Sequence, residues 1–94
     1  MSDEIDMEFV PQLAPTFRFQ WEEVQDCFVI LYPEGMVKLS QSAGEIMKRC
    51  DGVKTTNEII QDLNDTFPGV ELTNDVTRFL IQAKNNGWIR NKPE

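Results

Sequence analysis

The chain has 94 residues, of which 40% are hydrophobic and 27% are charged, and its formal net charge is −7. This length is enough for one small domain, and the apolar fraction excludes a fully disordered chain. No apolar run approaches the roughly 20 residues that a membrane-spanning helix needs. The start of the chain has neither the basic region nor the apolar stretch of a signal peptide. We therefore expect a cytoplasmic protein whose acidity disfavours nucleic acids and anionic membranes as partners.

The residue types that carry most enzyme chemistry are missing or isolated. The chain has no histidine, which excludes Ser-His-Asp and Cys-His hydrolases. Cys27 and Cys50 do not have metal-ligand spacing, and we expect both thiols to be reduced and buried. The pair Glu22–Glu23 lies on a polar connector, and Asp51 is expected to be a turn acceptor rather than an acid catalyst. These observations predict a protein that is not an enzyme and needs no metal or cofactor.

Residues 1–15 differ in composition from the rest of the chain. The first 16 residues contain four acidic and no basic residues, and Pro11 and Pro15 interrupt a segment without sustained hydrophobic periodicity. We expect a flexible acidic arm over 1–15, followed by one domain over 16–94. The alternative is that this segment folds back and covers an exposed part of the domain.

Residues 17–39 predict three antiparallel strands. Phe17–Trp21 alternates apolar and polar residues, as a half-buried strand does. Cys27–Tyr32 is apolar on both faces, and Met36–Leu39 follows after the turn residues Pro33–Gly35. A strand that is apolar on both faces needs cover on both sides, which three helices alone do not guarantee.

The hydrophobic period then changes from 2 to 3.6 residues, which predicts helices. Either Ser40 or Ser42 can cap the first helix, and Gly52 is expected to end it. A capping box of Thr55 and Glu58 begins the second helix, and a Pro-Gly pair ends it.

The third helix is expected to begin at Thr73 and to end at Asn86–Gly87, after which Trp88–Ile89 packs back. Three strands followed by three helices predict an α+β fold with a winged-helix-like topology. Because a short turn joins the second and third helices, a winged-helix DNA-binding regulator is an alternative function. These two helices together carry four acidic and two basic residues, which disfavours contacts with phosphates.

Met36–Leu39 is a short predicted edge strand with a single charge, Lys38. Edge strands are normally blunted by charge, proline or a bulge, and an edge that stays open accepts an extended peptide as an additional strand. Two kinds of cover for the strands stay open at this point: a neighbouring protein, or residues 1–15 of the same chain.

Several motifs resemble the coenzyme PQQ synthesis protein D (PqqD) family. The string LYPEGMVKL over 31–39 is followed by Ser42–Ile46 and Cys50–Gly52, which fit the same pattern. Residues 11–15 and 18–22 also fit it, as do three short motifs between residues 67 and 89. The resemblance therefore covers nearly the whole chain, and the first ten residues lie outside it.

The resemblance implies a function and a fold. Proteins of this family are peptide chaperones in the biosynthesis of pyrroloquinoline quinone (PQQ). They bind the ribosomally made precursor peptide and present it to a radical S-adenosylmethionine (SAM) enzyme, which links a glutamate and a tyrosine side chain of that peptide. The family fold is the recognition element for ribosomally synthesised and post-translationally modified peptides (RiPPs), with three strands and three helices. In related elements the peptide adds as a strand beside the third strand and lies against the third helix.

The resemblance places the peptide-binding residues on one strand and one helix. The expected docking edge is Met36, Val37, Lys38 and Leu39, and the expected groove wall is Val76, Phe79, Leu80 and Ala83, with Arg78 at its rim. Helical spacing of apolar residues is typical of a core, so about half of the four wall residues are expected to touch peptide. Arg78 or Lys38 can pair with an acidic residue of the peptide. The acidic N-terminal segment is a candidate contact for the enzyme, and strand exchange at Pro33–Gly35 is a route to a homodimer.

Overall fold

The computed structural model describes residues 4–92, which form five strands and three helices. The strands are β1 (Pro11–Leu13), β2 (Arg18–Glu22), β3 (Cys27–Tyr32), β4 (Gly35–Lys38) and β5 (Ile89–Asn91). The helices are α1 (Gln41–Met47), α2 (Thr56–Thr66) and α3 (Thr73–Asn85). None of these helices is long and apolar enough to cross a membrane.

The larger sheet is antiparallel and has the order β2-β3-β4, which confirms the predicted three-stranded arrangement. Tyr32 pairs with Gly35, so a turn of only two residues joins β3 to β4 within the chain. The central strand β3 is buried on both faces, as its sequence predicts: Ile30 belongs to the main core, and Val29 on the opposite face is buried too. Strand β4 is therefore an edge of this sheet.

Side-chain caps fix where two of the helices begin. The Ser40 hydroxyl accepts a hydrogen bond from the Ala43 N–H at 3.2 Å, so Ser40 is the cap of α1. The Thr55 hydroxyl accepts from the Glu58 N–H, and the Glu58 carboxylate accepts from the Thr55 N–H, which confirms the predicted capping box of α2. Helix α1 ends at Met47, well before the glycine expected to end it.

One hydrophobic core joins the three helices to the sheet. It contains side chains from α1, α2, α3, β3 and β5, and most of them are almost completely buried. Its buried members are Phe9, Ile30, Leu39, Ile46, Met47, Cys50, Ile59, Ile60, Leu63, Val76, Leu80, Ala83 and Ile89. The core therefore includes a residue from the segment that the sequence assigns to a flexible arm.

The structure corrects the prediction of a flexible arm over residues 1–15, of which residues 1–3 lie outside the described part. Phe9 is only 9% exposed, and its carbonyl oxygen accepts hydrogen bonds from both the N–H (2.8 Å) and the hydroxyl (3.0 Å) of Thr56. Strand β1 pairs with β5 in a second, two-stranded sheet. Strands of three residues are too short to show alternation, and this is why the sequence did not indicate them.

Residues 7–14, here called the N-terminal clamp, connect the beginning of α2 to the segment after α3. At one side the Asn57 N–H donates to the Met7 carbonyl oxygen at 3.0 Å. At the other side the Ala14 N–H donates to the Trp88 carbonyl oxygen at 2.8 Å. Between these two contacts, the Gly52 N–H donates to the Pro11 carbonyl oxygen of the clamp. The backbone of Gly52 has φ +77°, a conformation that L-residues rarely adopt. The clamp thus bridges three segments that are distant in sequence.

Replacement of Phe9 by alanine tests whether the clamp is part of the fold. Because Phe9 is buried in the core, Phe9→Ala should lower the free energy of unfolding by about 3 kcal/mol. Met7 is exposed, so Met7→Ala is the control and should change the free energy by no more than about 0.5 kcal/mol. Urea unfolding followed by circular dichroism measures both values. Equal, small effects of the two substitutions would mean that residues 1–15 are a flexible arm after all.

Candidate functional site

A groove with a volume of about 410 Å³ lies between β4 and α3, and α1 closes one of its sides. Half-buried apolar side chains line it, among them Val37 of β4, Ala43 of α1 and Phe79 of α3. Trp88, which follows α3, packs against Phe79 with ring centroids 6.3 Å apart. We call this feature the β4–α3 groove.

Helix α1, which closes one side of this groove, packs closely on the sheet. Gly44 of α1 lies directly over Phe28 of β3, where a Cβ atom would be 2.8 Å from a ring carbon. Phe28 in turn stacks on Phe19, with centroids 4.8 Å apart. Because glycine permits this contact, α1 approaches the sheet closely, and the chain can pass directly from β4 through Ser40 into the helix.

The outer edge of β4 presents backbone hydrogen-bonding groups. The Leu39 N–H donates to the Phe28 carbonyl oxygen at 2.9 Å, so residue 39 faces β3. Hydrogen bonding alternates along an antiparallel strand, and Val37 and Gly35 therefore also face β3. The N–H and C=O groups of Met36 and Lys38 consequently point away from β3, toward the open edge.

The structure brings five of the nine predicted site residues to the β4–α3 groove. They are Val37, Lys38, Leu39, Arg78 and Phe79. Met36 lies on the same edge strand but does not line the groove, and its side chain is exposed.

The other three predicted wall residues require a correction. Val76, Leu80 and Ala83 are each 0% exposed, because they form the side of α3 that packs into the core. They hold α3 in place from behind, and Phe79 is the one predicted wall residue that offers surface to a ligand. The sequence analysis also missed seven residues that line the groove. Asp75 and Gln82 lie on the polar side of α3, and the other five lie outside β4 and α3: Ser40, Ser42, Ala43, Ile46 and Trp88.

Charged side chains at the rim of the groove are available to a ligand. Among residues 4–92, Lys38, Arg78 and Asp75 take part in none of the ion pairs. In contrast, Arg49 binds both Glu45 of α1 and Asp62 of α2, at 3.0 and 2.6 Å, and so joins these two helices. The rim therefore has two basic groups and one acidic group without a partner in the described chain.

Cys50 and Asp51, for which the sequence predicts a buried thiol and a turn acceptor, have these structural roles. Burial raises the pKa of the Cys50 thiol to about 12, so this group is protonated at neutral pH and donates to the Ile46 carbonyl oxygen. Asp51 accepts hydrogen bonds from the Val53 and Lys54 N–H groups, as predicted for a turn acceptor. Both cysteines are free thiols, Cys27 being only half-buried. Within residues 4–92, no group of three acidic or cysteine side chains is placed to hold a metal ion.

Three comparisons with known proteins agree with one another. The model of the family described as coenzyme PQQ synthesis protein D (PqqD) matches residues 27–89. A protein of Pseudomonas aeruginosa strain UCBPP-PA14, named PqqA binding protein, is 48% identical over 84 residues, which cover 88% of this chain and 91% of the relative. A protein of the same name from Stutzerimonas stutzeri is 42% identical, and the match covers 92% of this chain and 95% of the relative.

A solved structure is similar as well. It is the solution NMR structure of the PqqD truncation of Methylobacterium extorquens PqqCD, described as a functional and stand-alone RiPP recognition element. The TM-score is 0.72 at 26% sequence identity, and the match covers 87% of this chain and 89% of that chain. The fold of the present chain, with a three-stranded antiparallel sheet and three helices, is thus the fold of that recognition element.

The loop at Asp51 gives a prediction of pH dependence. Partial burial would raise the pKa of Asp51, but the hydrogen bonds from Lys54 and Val53 outweigh it and lower the pKa. A lowered pKa in the folded state stabilises the fold above the unfolded-state pKa of about 4, and this contribution is lost as the pH falls through the folded-state value.

Asp51→Asn should therefore reduce the free energy of unfolding at pH 7 by up to about 1 kcal/mol, a small value because the carboxylate is partly exposed and screened. The difference from the unmodified chain should shrink at about pH 2.5, because the folded-state carboxylate loses its charge as the pH falls. Urea unfolding of both proteins at the two pH values measures it. A difference that persists unchanged at the lower pH would contradict the assigned role of the carboxylate.

Proposed function

Since the chain belongs to the PqqD family of coenzyme PQQ synthesis proteins, we propose that it binds the precursor peptide PqqA and presents it to a radical SAM enzyme in PQQ biosynthesis. The name of the relatives, PqqA binding protein, supports the choice of ligand. The description of the solved relative as a RiPP recognition element supports the mode of action. The observation that carries the proposal is the open edge of β4 beside a groove that offers both apolar and polar side chains.

The binding mode is the addition of the peptide as a fourth strand next to β4. The outward N–H and C=O groups of Met36 and Lys38 form the backbone hydrogen bonds. Every second peptide side chain then points into the groove, where Val37 and Phe79 offer apolar surface. Backbone pairing supplies affinity for any extended chain, and the groove selects among side chains.

The proposed role is that of a chaperone without catalytic activity, acting in the cytoplasm. The acidic and thiol groups with perturbed pKa values serve a turn and the core, and the groove itself is lined by apolar side chains, hydroxyls and unpaired charges. The cross-linking chemistry belongs in this proposal to the partner enzyme, and this chain contributes the placement of the peptide.

The comparisons give no support to the alternative function, a winged-helix DNA-binding regulator. The charge of the two helices also argues against it, since α2 has three acidic residues and no basic residue. A recognition helix needs cations close to the phosphates, and phosphate contacts dominate the affinity of such proteins. The peptide-binding function accounts for the same surface without this conflict.

Replacement of Lys38 by proline tests the binding mode. Proline removes the outward N–H, and edge strands tolerate proline where that N–H faces solvent, so the protein should still fold. Lys38→Pro should weaken binding of synthetic PqqA by about tenfold or more, because a peptide carbonyl loses its donor in a partly desolvated site. Isothermal titration calorimetry measures the dissociation constant.

Lys38→Ala is the matched control, since it removes the same side chain and keeps the N–H. It should weaken binding by less than about threefold, the range of an exposed charge pair. Circular dichroism confirms that both variants are folded. If the two variants bind PqqA equally well, the peptide does not add to β4 in the proposed way.

A further inference from the structure

A second concave surface lies between α1, the end of α2 and the loop that leads to α3. It has a volume of about 520 Å³, and its lining is mostly apolar and includes Ile46, Leu63, Phe67, Val70 and Leu72. We call it the α2–α3 pocket. The resemblance to known recognition elements, which concerns β4 and α3, does not account for it.

Two large apolar side chains of this pocket are exposed in the free chain. Phe67 is 37% exposed at the end of α2, and Val70 is 53% exposed in the following loop. Single exposed apolar residues are common on protein surfaces, but two of them at one apolar concavity indicate a binding site. Solvent contact with these side chains costs free energy that an apolar ligand group would recover.

The pocket borders the β4–α3 groove. Ser40, Ser42, Ile46 and Asp75 line both of them. Ser40 follows the end of β4 by two residues, so a chain that runs along β4 and passes Lys38 arrives at this shared boundary. One extended ligand can therefore occupy the groove and the pocket together.

The charge of the lining side chains changes sign from the groove to the pocket. Arg78 and Lys38 lie at the rim of the groove, whereas Asp75 lies at the boundary with the pocket. Asp75 and Arg78 are separated by about 4.5 Å along the axis of α3, and alternate residues of an extended peptide are roughly 6.6 Å apart. An acidic and a basic peptide residue two positions apart can thus meet Arg78 and Asp75 respectively.

We propose that the α2–α3 pocket is a second subsite for the same precursor peptide, which places a large apolar side chain there and a neighbouring lysine or arginine against Asp75. This inference rests on the proposed function and deepens it. Strand addition alone permits the peptide to slip by two residues, since every second position presents the same backbone groups. A side chain held in a separate pocket removes this ambiguity, and the peptide is then presented in one register.

The variant Val70→Asn tests the pocket without adding charge. Because Val70 is half-exposed in a loop, the substitution should leave the fold intact, and it should weaken binding of synthetic PqqA by about five- to tenfold. Val24→Asn is the matched control, since Val24 is 87% exposed in the turn between β2 and β3, away from both surfaces. The control should bind within twofold of the unmodified chain.

A second arm of the experiment identifies the contact with Asp75. Each lysine and arginine of PqqA is replaced by alanine in turn, and each peptide is titrated into the unmodified chain and into Asp75→Asn. One replacement should weaken binding to the unmodified chain by up to about threefold, the range of an exposed charge pair, and have little further effect on Asp75→Asn. Additive losses for every basic residue would overturn this contact.

The outcomes separate this inference from the proposed function. If Val70→Asn binds like the Val24→Asn control while Lys38→Pro still loses affinity, the pocket is not a subsite and strand addition stands. If none of these variants changes the affinity, both the subsite and the strand-addition mode are wrong. Loss with Val70→Asn together with one coupled basic residue supports the subsite.

Discussion

The burial of Phe9 is the interaction on which the arrangement of the helices depends. Its ring lies in the core, its carbonyl oxygen accepts two hydrogen bonds from Thr56 at the beginning of α2, and the Lys84 ammonium of α3 lies 5.5 Å from the ring centroid. The rest of the N-terminal clamp continues into the pairing of β1 with β5, directly after α3. The clamp thus holds the far end of α3, the helix that forms one wall of the groove.

Helix α3 contributes side chains to the groove, whereas strand β4 contributes backbone groups. Helix α3 gives its apolar side, with Val76, Leu80 and Ala83, completely to the core, which leaves Phe79 and Arg78 at the surface of the groove. Strand β4 keeps one set of backbone groups unpaired within its sheet. A rigid helix beside an unpaired strand edge is suited to an extended peptide, because the chain that binds does not have to displace any existing pairing.

The sequence was sufficient to predict the strands and helices that have a clear hydrophobic period or a cap. It was insufficient to predict contacts between distant segments. Alternation and turn residues predicted β2, β3 and β4, and the capping box at Thr55 predicted the start of α2. The clamp escaped prediction because β1 and β5 have three residues each and draw their stability from each other. For the site, helical spacing identified the apolar side of α3 but not which of its residues stays at the surface, since that depends on where α1 and Trp88 pack.

The most direct test of the central claim is an NMR study of the complex between the isotopically labelled chain and synthetic PqqA. Strand addition beside β4 predicts slowed amide hydrogen exchange at Met36 and Lys38 and intermolecular nuclear Overhauser effects between their backbone protons and those of the peptide. The amides of Val37 and Leu39, already bonded to β3, should change much less. Protection and intermolecular contacts that instead follow β2, the other edge of the sheet, would contradict the account.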